Sequence, residues 1–87
     1  MSQIDWSANA KEIFDKVIGN LPQFHRTIAQ KLVKESAEQL AKEKGAVAVE
    51  EEDLIKAFFM EVPPAFKEMM KRLFKQLGID YQKYIEE

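Results

Sequence analysis

His25 and Arg26 are the adjacent pair best equipped for chemistry. An imidazole that titrates near neutrality beside a permanent cation can relay a proton or hold an anion. His25 is the chain's sole histidine and there is no cysteine, so it lacks the spaced partner that a metal site needs. A solvated or capping side chain is therefore the favoured reading of His25. Arg26 carries more weight: a cation in the first turn of a helix opposes the macrodipole, so it needs another reason to be there. A salt bridge would be reason enough. The run Glu50, Glu51, Glu52, Asp53 could suggest a divalent cation, yet it has neither the alternating oxygen ligands nor the glycine turn of a calcium loop. Carboxylates crowded at a helix start explain it better. Met60, Met69 and Met70 stand near Phe58, Phe59, Phe66 and Phe74, a combination that suits an adaptable binding surface but fits core packing better. Lys67, Lys71, Arg72 and Lys75 would give one helix a basic face, read as solvated because no aromatics are interleaved with it. No Ser/His/Asp pattern, glycine-rich phosphate loop or isolated carboxylate pair stands out, and a non-enzyme is expected.

The elements that carry these residues are helical. Trp6, Ala10, Ile13, Phe14, Val17, Ile18 and Leu21 recur at the spacing of one helical stripe, behind Ser7 as N-cap. Gly19-Asn20-Leu21-Pro22 ends that helix, placing it at about residues 7–19. From Pro22 to Lys44 nothing breaks the pattern, and Ile28, Ala29, Leu32, Val33, Ala37, Leu40 and Ala41 form a wide apolar stripe. This is the long central helix, closed by Lys42, Lys44 and a C′ glycine, Gly45. Residues 45–49 read as a short extended link, because β-branched Val47 and Val49 stand two apart. A third helix buries Leu54, Ile55, Phe58 and Phe59 and stops at Val62-Pro63-Pro64. Phe66, Met69, Met70, Leu73, Phe74 and Leu77 stripe a fourth, capped by Gly78, and Asp80 starts a last short turn with Tyr81, Tyr84 and Ile85. The pattern predicts an all-α fold: a compact orthogonal bundle of four to five helices with one long central helix.

With 87 residues there is room for one domain only. The absence of cysteine excludes disulfides, iron–sulfur ligation and thiol nucleophiles. A net charge of −2 gives no global pull toward nucleic acid or anionic lipid, so neither is expected as a partner. No signal-peptide pattern and no run long enough to cross a bilayer are present, and a cytoplasmic location is expected.

Trp6 and Ala10, then Leu21-Pro22-Gln23-Phe24-His25-Arg26, then Glu38-Gln39-Leu40-Ala41 with Gly45, then Val49, Glu52, Leu54 and Ala57 follow in an order that resembles a known domain. It is similar to the small C-terminal helical domain of the B subunit of light-independent protochlorophyllide reductase, over about residues 6–58. Residues 63–87 lie outside the resemblance as a helical extension. The span Arg26–Glu38 is about one turn longer than in that domain, and His25 replaces an apolar residue. The cluster-holding body of the reductase has no counterpart in these residues, so the resemblance implies a non-catalytic accessory module with no cofactor. It implies a protein partner, or a tetrapyrrole, held through Trp6, Pro22, Phe24, Arg26, Glu38 and Gly45, with Trp6 packed beneath the Pro22–Arg26 corner; Glu38, as a carboxylate on the long helix, is expected to pair with a cation on a neighbouring helix. A monomer is expected.

A short helix, a long one and Glu52-Asp53-Leu54 leading a third also resemble the histone fold, which exists as an intertwined dimer. Burial of Trp6 in a monomer's own core would favour the first reading; a long helix left largely bare would favour the second.

Overall fold

A computed structural model describes residues 4–85, apart from the side chain of Phe24. The chain begins with β1 (Asp5–Trp6) and passes through α1 (Ala8–Gly19), α2 (Gln23–Glu43), β2 (Ala48–Val49) and α3 (Glu51–Glu61). A 3₁₀ turn at Pro64–Phe66 leads into α4 (Lys67–Gln76). The described residues thus hold four α-helices and two two-residue strands, an all-α small bundle. The last segment is a turn in which Tyr84 N–H donates to the Tyr81 carbonyl at 3.1 Å, so no fifth α-helix forms there.

Local signals end each helix where they stand in the sequence. The Ser7 hydroxyl accepts from Ala10 N–H at 3.1 Å and caps α1. Gly45 and Gly78 have φ of 75° and 74°, the left-handed conformation that a C′ residue must adopt. Behind each, the next amide reaches back over a full turn: Ala46 to Ala41 and Ile79 to Phe74, both at 2.9 Å. At the start of α3, Asp53 accepts from Glu50 N–H at 3.0 Å, which makes the acidic run a helix-start device.

The extended link has a partner that periodicity does not reveal. β2 pairs in parallel with β1, Asp5 opposite Ala48 and Trp6 opposite Val49. Ser7 N–H continues the ladder to the Val49 carbonyl at 3.0 Å. This ties the N-terminal strand to the segment between α2 and α3.

The core is one cluster drawn from every helix, including Ile13, Phe14 and Val17 of α1, Val33, Ala37 and Ala41 of α2, and Leu54, Ile55 and Phe58 of α3. Met70, Phe74 and Tyr81 complete it, so residues beyond Pro63 help to build the core rather than cover it from outside. Aromatic rings run through it: Trp6 meets Phe14 edge-on at 5.1 Å, Phe14 lies 6.1 Å from Phe58, and Phe58 lies 5.8 Å from Phe74. The radius of gyration, 12.2 Å, matches the roughly 12 Å of a collapsed single chain of this size. The core therefore closes within one protomer.

Two of the sequence-derived stripes are corrected. On α2, Val33, Ala37 and Ala41 are buried, but Ile28 and Leu32 are exposed. On α4, Met70 and Phe74 are buried, but Met69 and, in the preceding turn, Phe66 are exposed. The reason is length. At 1.5 Å per residue α2 runs about 30 Å and α3 only about 16 Å, and the two are antiparallel, with Lys44 beside Asp53 at one end and Ser36 bonded to Glu61 at the other. The part of α2 before Ser36 overhangs, because Pro63 and Pro64 turn the chain out of α3 before it can follow.

Candidate functional site

The six residues selected from sequence do not converge. Pro22 precedes α2 with φ of −55°, and its carbonyl accepts from both His25 and Arg26 N–H at 3.0 Å. The Arg26 guanidinium donates back to the carbonyls of Leu21 at 3.1 Å and Gly19 at 3.4 Å. It thus satisfies carbonyls left over at the end of α1, which explains a cation in the first turn of α2. The reason is backbone capping and not a salt bridge among the described residues. Its Nε is buried with no hydrogen-bond partner among the described residues.

Trp6 is not beneath this corner. Its indole N–H donates to the Glu38 carboxylate at 2.9 Å, about 18 Å further along α2 by helical rise. Among the described residues, Glu38 accordingly pairs with an indole and not with a cation. Gly45 lies at the far end of α2, with its amide donating to the Lys42 carbonyl at 3.0 Å. Phe24 belongs to α2, and its side chain lies outside the described residues. Each of the described members has a structural duty at its own place.

The acidic run is taken up by bonds between elements. Asp53, 2% exposed, receives the Lys44 ammonium at 2.9 Å, and Glu52 receives Lys56 at 2.8 Å. The bond to Asp53 outweighs the loss of solvent and raises the Lys44 pKa. The Lys56 and Lys44 ammonium groups lower that of Glu52. Glu51 accepts from Asn9 at 3.0 Å and from the Tyr84 hydroxyl at 2.8 Å, a bond that raises the Tyr84 pKa. No group of three metal-ligating side chains occurs among the described residues. On α4, Lys71 pairs with Glu68 at 3.0 Å, while Lys67, Arg72 and Lys75 face solvent.

What the structure does assemble is an apolar cleft of about 230 Å³ between the overhang of α2 and the Val62–Met70 segment. One wall is His25, Ile28, Ala29 and Leu32; the other is Val62, Pro63, Phe66 and Met69, with Phe58 and Met70 lining it as well. Ile28 is 61% exposed, Leu32 41%, Phe66 39% and Met69 40%, so four of the six exposed large hydrophobics among the described residues lie here. Such a concentration differs from the scattered apolar residues of an ordinary surface. The polar groups are few: the His25 ring lies 5.8 Å from that of Phe66, and Glu61 accepts a hydrogen bond from the Ser36 hydroxyl. Sequence reading missed the cleft because the same stripes looked like core. The available signal was Pro63-Pro64, which shortens α3 against α2.

No curated protein and no solved structure matches the chain. No helix among the described residues is long and apolar enough to cross a membrane. The family match corrects the resemblance to protochlorophyllide reductase: it spans residues 1–87 and carries no link to that enzyme. With it goes the support for a tetrapyrrole ligand. The chain belongs to the family described as "Protein of unknown function (DUF2621)".

Proposed function

We propose that this chain is a non-catalytic interaction module whose working surface is the apolar cleft between α2 and the α3–α4 junction. One observation carries it: Ile28, Leu32, Phe66 and Met69 are left exposed on facing walls of one cleft while the core beneath is complete. Exposed apolar side chains gain free energy when covered, and their clustering fits a partner better than it fits chance. A polypeptide partner suits a cleft lined along one wall by Ile28 and Leu32, one turn apart on α2, since one helix face can place residues at that spacing against it. The single-chain core and the docking of Trp6 support a self-contained module over an intertwined, histone-like pair.

The test is a photoreactive residue placed at Leu32 in the native cells, with a control at the remote, 89% exposed Val47. A discrete protein adduct from position 32 and none from position 47 is expected. Equal labelling at both positions, or none at 32, would show that the cleft is not the working surface.

A further inference from the structure

Any occupant of the cleft must present apolar groups at the spacing of Ile28 and Leu32, and this chain itself carries such a surface. His25, Ile28, Leu32 and Glu35 follow one another on α2 at steps of three, four and three residues. Those steps keep the four side chains on one seam of a helix. The series reads the same from either end. A second α2 laid antiparallel therefore meets the first in register, which is the self-complementarity that a two-fold interface requires.

Resting on the reading of the cleft as an interaction surface, we propose that its occupant is a second copy of the chain, docked through antiparallel α2 helices. In this register Ile28 faces the partner's Leu32, and Leu32 faces the partner's Ile28. His25 faces the partner's Glu35, so a ring N–H donor meets a carboxylate acceptor twice, once at each end. Glu61, held by the Ser36 hydroxyl beside Glu35, adds a second acceptor at the same end. The central pairs are apolar and the outer pairs are complementary, the arrangement of a stable helix seam. Ala29, on the cleft side of the seam, is small enough to let the helices approach. Each protomer keeps its own core, so the pairing is surface docking and exchanges no element between copies.

Light scattering of the purified chain from micromolar to millimolar concentration tests this, with circular dichroism on the same samples to show that each variant is folded. The wild-type mass should rise toward twice that of the monomer. Leu32→Glu should abolish the rise. Glu35→Lys should move the midpoint to several-fold higher concentration, because it removes the carboxylate that accepts from the His25 ring N–H and puts a group with no acceptor in its place. Adding His25→Glu to Glu35→Lys should restore it, since only this register brings position 25 against position 35 of the other copy. A wild-type chain that stays monomeric throughout overturns the proposal, as does a dimer indifferent to Leu32→Glu, or a double variant as weak as Glu35→Lys alone. If the wild type stays monomeric and the photoreactive residue at Leu32 still captures a different protein, the self-pairing falls while the cleft stands. If position 32 captures nothing and the chain stays monomeric, both fall.

Discussion

Trp6 and Glu38 are joined by an indole–carboxylate hydrogen bond of 2.9 Å that pins the two-residue strand β1 to the second half of α2. The Trp6 ring also lies edge-on to Phe14, so one side chain links strand, first helix and long helix. Replacing Glu38 with Leu leaves a half-buried N–H without its acceptor, at a cost of about 1–2 kcal/mol. Glu38→Gln keeps an oxygen acceptor and should lose less than half of that. Urea unfolding followed by the fluorescence of the chain's one tryptophan reads both variants. Equal stability of Glu38→Leu and wild type would mean that the bond contributes nothing.

Asp53 is the buried hinge between α2 and α3, receiving Glu50 N–H at 3.0 Å on one oxygen and Lys44 at 2.9 Å on the other. Asp53→Ala removes both and should cost about 2 kcal/mol, the upper end for a helix-start residue. Asp53→Asn retains an acceptor for Glu50 and should recover part of the loss. A variant as stable as wild type in chemical denaturation would contradict this role.

The Lys44 side of that pair sets a pH dependence. A raised lysine pKa means that the folded state holds its proton more tightly than the unfolded chain does. The stabilisation is therefore complete below the ordinary lysine value of 10.5 and fades as pH climbs through the higher folded value. Because the Lys44 side chain is 41% exposed, solvent screening limits the effect to roughly 0.5 kcal/mol. Tyr84, also raised, titrates in the alkaline range as well, so the comparison has to be between wild type and Lys44→Met at each pH. Their stability difference should hold steady from pH 7 to 10 and then close; a difference that widens above pH 10.5 would reverse the sign argued here.

Arg26 joins the end of α1 to the start of α2 through the carbonyls of Gly19 and Leu21. Arg26→Met should destabilise by about 1 kcal/mol, a fall in melting temperature of about 4–8 °C for a domain of this size. Arg26→Lys should fall between the two, since one ammonium cannot reproduce the guanidinium fork. An unchanged melting temperature for Arg26→Met would leave the capping bonds without energetic weight.

The helices were legible because their information is local. Ser7, Gly45, Gly78 and Pro63-Pro64 act within a turn of themselves, and Ala10, Ile13, Phe14, Val17 and Ile18 of α1 and Leu54, Ile55 and Phe58 of α3 are buried as their spacing predicts, while Phe59 is half-buried and Trp6 lies on β1 rather than on the helix. The parallel pairing of Asp5–Trp6 with Ala48–Val49 was not legible, because two residues give no period and the partner is more than forty positions away. Nor was the partner of Glu38, since an indole N–H and a cation satisfy a carboxylate alike. The cleft escaped for a third reason. A 3.6-residue stripe tells which face of α2 is apolar and says nothing of how far the covering helix extends, and here that helix stops short of Ile28 and Leu32.

The same difference separates residues that hold the fold from those that leave it an unfinished surface. Phe58 is 1% exposed and touches the rings of Phe14 and Phe74, so Phe58→Ala should cost about 3–5 kcal/mol through lost burial and an unfilled cavity. Leu32→Ser and Met69→Gln remove apolar groups already about two-fifths exposed, so each should change stability by less than about 1 kcal/mol. Leu32 and Met69 are two of the four exposed apolar side chains that the proposed partner would cover, so the two substitutions should nonetheless weaken association. Thermal denaturation paired with an association measurement on each variant checks the split. If Leu32→Ser and Met69→Gln unfolded the chain as readily as Phe58→Ala does, these residues would belong to the core, and the cleft would have no surplus apolar surface to offer a partner.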